Sequence, residues 1–449
     1  MTEDTHLTKL LAHTPRLQTL GVKGAALSVS ADLLRYTPHL EALHLELRNP
    51  AVELVQLLAH VPHLTHLTVA PSTPLPETFL ATVPQLTHLT VKEGLAPCAS
   101  PNLLAAVPRL TRFAVRMDAD TEALACLEST LHQLASDLTE LEVELLNLQD
   151  LNVEILPNLP QLTHLTLDVT GMAALPEHLL AQAPALTHLT LQGVNNSNLP
   201  AVILPAGFLA HTPRLPNLTL KVYRLAGLSP DLLVPVPSLR QLQFDTSSMK
   251  SLPTGFLDPV PQLTELRMKV GGTNLPADFL MHAPHLEVLH LNVQSLGSLP
   301  ANFLTSAPRL VDLYLRMPLL QALPPTFLVH APRLETLELK AGHGIVGNYA
   351  KCNQNPPGPR NFPEHFLSHA PRLVELYLRV PMLQALPPSF LDHAPLLETM
   401  EVEYAYSGYC FGYGHKDLLK VVMPLRSLPE NFLTHTPNLR YLNLQTGYV

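Results

Sequence analysis

The chain has no tryptophan, four cysteines and only 14% charged residues among its 449 positions. Aromatic residues make up 5%. The four cysteines, Cys98, Cys126, Cys352 and Cys410, show no Cys-x-x-Cys spacing, so they form neither a disulfide framework nor a zinc signature. There is no basic excess. The net charge is −9 and is spread along the chain, which excludes an electrostatic footprint for nucleic acid or an anionic membrane. No run of about 18 uninterrupted apolar residues occurs, so no transmembrane helix is expected. The start, MTEDTHLTKLLAHTPRL, has neither a basic n-region nor an apolar h-region and does not read as a signal peptide. These absences lead to the expectation of a cytoplasmic chain, or an extracellular one if the sequence is a mature form or a fragment. A Gly-rich phosphate loop, a His-Glu-x-x-His pair and a nucleophile elbow are also missing, so no catalytic residue and no cofactor is expected.

What the chain has is proline, 45 residues of it, and abundant leucine. Such proline content without a period would mean disorder. Here the prolines fall at a fixed phase among regularly spaced leucines. Ala307–Leu339 aligns with Ala370–Val402 at an offset of 63 residues, with 25 of 33 positions identical. Each copy holds two versions of Pro-x-Leu-x-x-Leu-x-Leu, 24 residues apart, at Pro308 and Pro332 and again at Pro371 and Pro395. The same phrase runs from Pro15 to Pro437 and gives 17 units, with Ser136 in place of one proline. A chain of this length would ordinarily be about three domains, but an array grows by adding units rather than cores.

Each unit reads as one strand and one return. The alternation in Leu313-Tyr314-Leu315 suits a short strand with one face buried. Strands recurring in one direction must pair in parallel, and parallel pairing needs a return of a dozen or more residues. The return, Leu323–Pro332, opens with Pro324 and Pro325, which suit a first helical position. Pro332 blocks any extension. One or two turns of helix or 3-10 helix are expected between them, with Phe327 and Leu328 facing inward.

Repeated Leu-x-x-Leu-x-Leu followed by Leu-Pro-x-x-Phe resembles the leucine-rich repeat family, in the 24-residue type, over nearly all of residues 7–444. The resemblance implies an α/β repeat solenoid: a right-handed horseshoe with a parallel β-sheet on the concave face and short helical or 3-10 turns on the convex face. The whole of 1–449 is expected to be one solenoid. The family's usual Asn, which bonds neighbouring turns, is replaced here by Gln294, Pro318 and Gly342. The recurrent return histidines (His13, His60, His211, His282, His330, His369, His393, His435) are candidates to take over that bonding.

Three departures from the period stand out. Leu124, Leu127, Leu131 and Leu134 have helical spacing, so a longer convex helix is expected over 117–136. Two insertions, at 341–362 and 404–426, follow the strands that carry Glu338 and Glu401. They hold Tyr349, Tyr404, Tyr406, Tyr409, Phe411 and Tyr413 on loops over a rigid scaffold, the composition of a recognition surface. One cysteine lies in each loop. A bridge between Cys352 and Cys410 suits an oxidising compartment, whereas in the cytosol both stay reduced.

Positions flanking the last two leucines of each unit face outward and stack from strand to strand. Late in the chain they hold Tyr314, Arg316, Glu338, Lys340, Tyr377, Arg379, Glu401 and Glu403, expected to bind a ligand together with the loops. Early in the chain, His66 and His88, and also His164 and His188, share a phase in adjacent units. Metal sharing by these pairs is the minor reading against simple copying of the repeat, and no metal is expected. The leading functional expectation is a non-enzymatic scaffold that binds a protein or peptide. The alternatives are the recognition arm of a larger receptor or effector, for example of the ubiquitin-ligase type, and an adhesion or structural protein that self-associates end to end.

Overall fold

The computed structural model describes residues 3–24, 31–46, 51–70, 75–76, 78–92, 103–118, 121–134, 136–146, 156–196, 198–249, 251–272, 275–342, 358–380, 383–403, 428 and 431–445. The loop residues Tyr349, Cys352, Tyr404, Tyr406, Tyr409, Cys410, Phe411 and Tyr413 lie outside them. The chain divides into two compact units, Met1–Leu215 and Pro216–Val449.

The first unit contains α1 (Glu3–Leu11), β1 (Thr19–Lys23), β2 (Ala42–Glu46), α2 (Ala51–Leu58), β3 (His66–Val69), β4 (His88–Val91), β5 (Arg112–Asp118), α3 (Thr121–Leu134), β6 (Glu140–Leu146), β7 (His164–Asp168), β8 (His188–Gly193) and the short β9 (Val202–Ile203). β1 to β8 pair in parallel, each with the next in sequence. The second unit contains β10 (Asn217–Val222), the short β11 (Leu225–Gly227), β12 (Gln241–Thr246), β13 (Glu265–Val270), β14 (Val288–Val293), β15 (Asp312–Met317), β16 (Thr336–Ala341), β17 (Glu375–Arg379), β18 (Thr399–Glu403) and β19 (Tyr441–Gln445). β10 and β12 to β19 pair in parallel in the same way.

Register is set by the leucines. Leu313 stands opposite Leu337, and Leu315 opposite Leu339. One coil of the second unit buries Leu310, Leu313, Leu315, Met317, Leu320, Leu323, Phe327, Leu328 and Ala331, all at 7% exposure or less. A slip of one residue would turn this whole set outward. At the return, rings stack from coil to coil. Phe366 lies 6.0 Å from Phe327 and 5.8 Å from Phe390, which lies 6.4 Å from Phe432.

The returns themselves are mostly chains of tight turns. Phe327 N–H donates to the Pro324 carbonyl (3.1 Å), Ala331 to Leu328 (3.0 Å) and Leu334 to Ala331 (3.2 Å). Regular 3-10 helix is found over Leu33–Tyr36, Leu103–Ala106 and Leu179–Gln182. Proline before Phe327 and at 332 leaves too little chain for an uninterrupted helix. In the return between β5 and β6, α3 buries Leu127, Thr130, Leu131 and Leu134 along one side.

In most coils one carbonyl accepts two backbone N–H groups from the next. Val311 O takes Glu335 and Thr336, Glu335 O takes Val374 and Glu375, and Val374 O takes Glu398 and Thr399, all at 2.8–3.1 Å. In the first unit a threonine hydroxyl adds a third donor. Thr65 Oγ1 donates to Glu41 O (2.9 Å), Thr87 to Thr65 O (3.0 Å), Thr163 to Thr139 O (3.1 Å) and Thr187 to Thr163 O (3.0 Å). These bonds satisfy the turn before each strand; after the strand, at the position of the family's asparagine, backbone bonding is also seen, as Gln294 N–H donates to Val270 O (3.1 Å). Elsewhere Thr170 Oγ1 accepts Val194 N–H (2.9 Å). The return histidines do something else. His282 Nδ1 meets Asp258 of the coil before (2.7 Å), His60 and His435 approach Asp32 and Asp392 (3.7 and 3.9 Å), and His211 lies 3.4 Å from His178. They pair side chain to side chain on the surface, because the turn amides already have backbone partners.

A polar ladder on the second unit and a histidine row on the first

Strands β15 to β18 bury alternate residues and present the others. Their register sets Tyr314, Glu338, Tyr377, Glu401 and Asn443 side by side, and Arg316, Lys340, Arg379, Glu403 and Gln445 beside them. Neighbouring rungs of a parallel sheet stand about 4.8 Å apart, so side chains from Tyr314 to Glu403 come within reach of those on the next rung. Lys340 pairs with Glu338 on its own strand, and its Nζ lies 5.3 Å from the Tyr314 ring centroid, a cation–π distance. Arg379 Nε is 3.0 Å from Glu403 Oε2. Asn443 Nδ2 donates to Glu401 Oε1 (2.9 Å). Tyr377 O–H donates to Glu375 Oε2 (3.4 Å). Burial, and then the negative charge of Glu375, push the Tyr377 phenol above its ordinary pKa, so it stays a neutral donor. Arg316 stands exposed among these residues, with no partner among the described residues.

All eight strand residues expected at the site therefore lie on one surface, and the six loop aromatics fall outside the described residues. Four further members were not among the expected site residues, although Arg267 and His290 already read as outward ladder positions. Arg267 pairs with Glu265 on its own strand and donates to His290 Nδ1 (2.6 Å). Because arginine only donates, His290 carries its proton on Nε2, which donates to Asp312 Oδ2 (3.0 Å). The His290 ring lies 5.4 Å from Tyr314, so this relay continues the ladder. The signal was present in the sequence, since Glu265 and Asp312 occupy the outward position one step earlier on each strand.

On the first unit, His66 stacks on His88 and His164 on His188, each with ring centroids 4.0 Å apart and planes within 19° and 9° of parallel. Each Nδ1 lies 2.8–3.0 Å from the hydroxyl of the preceding threonine. That hydroxyl has one proton and donates it to a carbonyl of the coil before. The imidazole must therefore donate Nδ1–H to the hydroxyl oxygen, and Nε2 keeps the lone pair. Face-to-face rings held by the same atom carry their lone pairs side by side rather than converging, an arrangement unsuited to sharing one metal ion. Among the described residues no group of three or more His, Cys, Asp or Glu is placed to hold a metal. Burial first, then the neighbouring ring, push His88 and His188 below the ordinary imidazole pKa. In the same unit Glu46 sits 2.6 Å from both Lys23 and Lys92, and its pKa is lowered to about 2.

Among the described residues no helix is long and apolar enough to cross a membrane. Comparison with protein-family models gave no match, and comparison with curated proteins gave none either. Solved structures do match. One is a Toll–Spatzle complex of Drosophila in its glycosylated form, at TM-score 0.57 and 15% identity, covering 88% of this chain and 49% of that one. Another is a Toll–Spatzle complex at TM-score 0.57 and 16% identity, covering 87% of this chain and 54% of that one. This chain thus spans about half the length of the chains it matches there. An internalin from Listeria monocytogenes str. 4b F2365 gives a TM-score of 0.42 at 17% identity over 74% of this chain and 82% of that one, too low a score to carry an argument. In its repeated motif and its stacked parallel coils, the chain has a solenoid fold like that of the leucine-rich-repeat structures it matches.

Proposed function

We propose that the chain is a non-enzymatic protein-binding scaffold whose ligand, a protein or peptide, lies across the outward face of β15 to β19 under the insertions at 341–362 and 404–426. The observation that carries this reading is the contrast around Arg316. Tyr314, Lys340, Glu338, Tyr377, Arg379 and Glu403 each have partners that fix them, while Arg316 is exposed and uncommitted among the described residues. Tyrosine and arginine on a rigid frame lose little freedom on binding and dominate measured interfaces. The fold supports the reading in general terms, since the similar solved structures include Toll in complex with Spatzle.

The test is affinity capture of partners from the native source, with intact protein, with R316E/Y377A, and with both insertions shortened to the regular step. Partner recovery should fall about tenfold or more in R316E/Y377A, the loss expected for central arginine and tyrosine anchors. It should also fall in the shortened form. Unchanged recovery in both variants refutes the site.

A further inference from the structure

The outward row at the start of β3 to β8 reads His66, His88, Arg112, Glu140, His164, His188. Two stacked imidazole pairs flank one ion pair, Arg112 Nη1 to Glu140 Oε2 at 3.1 Å. The threonine hydroxyls fix all four rings in one tautomer and one orientation. Each pair is thus built to change what it offers. Neutral, it presents two parallel acceptors. Protonated, it presents two parallel charged Nε2–H donors while Nδ1–H stays with its threonine. Two parallel charged donors match the two oxygens of one carboxylate, the arrangement that makes bidentate pairs strong.

We propose that these imidazole pairs, His66–His88 foremost, are a proton-dependent docking site for the carboxylates of an acidic peptide segment. The surroundings rank the two pairs. Beside His66 and His88 stand Arg112 on the next strand and, one outward step along, His44, which bonds Thr68 (3.0 Å); Glu46, held between Lys23 and Lys92, lies at the far end of β2. Glu41 precedes β2 and lends its carbonyl to Thr65. Opposite His164 stands Glu140, with Glu142 one outward step along; Glu144 and Asp168 lie at the far ends of their strands. Arg112 thus borders the first pair and Glu140 the second, and Glu142 adds negative charge near the second. The first pair is therefore the stronger carboxylate site. Burial, and then the facing ring, hold His88 and His188 below the ordinary imidazole pKa, so each pair becomes doubly charged only on acidification and the site opens there. The inference concerns the first unit and does not rest on the reading of β15 to β19.

The test is fluorescence anisotropy of the full chain with a labelled hexa-aspartate peptide at about pH 7.5 and about pH 5.5, the range over which histidine charges. Binding should tighten about tenfold or more at the lower pH, as two charge-assisted hydrogen bonds allow. H66Q/H88Q should lose most of that gain and H164Q/H188Q less, while a hexaglutamine peptide shows none. The chain's other histidines remain in both variants and control for general charging. Ring nitrogen NMR of the unmodified protein at neutral pH provides an independent check and should show Nδ1–H in all four rings. Equal tightening in H66Q/H88Q, tight binding of hexaglutamine, or an Nε2–H tautomer would each overturn the proposal.

Discussion

Replacing Phe366 by alanine tests whether the second unit is held together coil by coil. Phe366 is 3% exposed, and its ring lies 4.5 Å from Phe362, 5.8 Å from Phe390 and 6.0 Å from Phe327. Truncating a buried phenylalanine costs about 3–5 kcal/mol, and three ring neighbours place this one near the middle or top of that range, at about 4 kcal/mol. Phe432, 7% exposed, stacks on Phe390 alone among the described residues, at 6.4 Å, so F432A should cost about half as much. In a stack each coil touches only its neighbours, and the damage should stay local. Hydrogen exchange followed by mass spectrometry on the intact chain reads this directly. A loss of about 4 kcal/mol corresponds to roughly a thousandfold faster exchange where local opening governs it. The amides of Phe366, Ala370 and Leu373, which donate to Pro363, Leu367 and Ala370 carbonyls, should show it. The amides of Phe208 and Leu215 in the first unit should be unchanged. Acceleration spread evenly over the chain, or equal costs for F366A and F432A, would refute the reasoning.

Other perturbations address other parts of the molecule. Thr163→Val removes both the donor to Thr139 O and the acceptor for His164 Nδ1–H. It should cost about 1–2 kcal/mol in urea unfolding, as a lost buried bond does, and should let the His164 ring populate both tautomers in nitrogen NMR. Glu46, with its pKa lowered to about 2 by Lys23 and Lys92, should stay ionised at pH values where ordinary carboxylates are protonated. Its contribution is present above the unfolded carboxylate range and is lost only as pH falls through about 2, so carbon NMR should show no Glu46 protonation at about pH 3.5. Gly271→Ala places a Cβ 2.2 Å from the Ser247 carbonyl oxygen, a backbone atom that cannot move aside, and should lower the urea midpoint by the equivalent of about 1–3 kcal/mol. Gly227→Ala meets nothing within 4 Å and should change the midpoint little.

The fold was legible because one period fixed three things at once: strand direction, strand spacing and the buried face. Leu313, Leu315 and Phe327 could be assigned inward from the sequence, and all three are buried. Junction chemistry was not legible. The carbonyl that takes two amides from the next coil is backbone, and no side chain announces it. That is why the return histidines, conspicuous in the sequence, attracted a role that backbone atoms already fill. On the ladder, Tyr314 through Glu403 stood out by side-chain type. The Glu265–Arg267–His290–Asp312 relay did not, because its members sit one outward step apart on strands whose exact register a sequence period leaves open. The stacking of His66 on His88 could be read from their shared phase. Their tautomer could not, because it depends on where the proton of Thr65 Oγ1 points.

The shared carbonyl at these coil junctions has a consequence for how such a chain can change length. In the late coils the donors to this carbonyl are main-chain amides, so it accepts any coil whose leucines arrive in phase. Val311, Glu335, Val374 and Glu398 play the same part in four successive coils although their side chains differ. A block that starts and stops at this carbonyl can be spliced in or cut out, and the joint it leaves is the same as the joint it replaced. The near-identical blocks at 307–339 and 370–402 each carry two such carbonyls, at Val311 and Glu335 and at Val374 and Glu398, in the same places. The backbone works as a universal coupling, and only the outward residues are left to differ from one coil to the next.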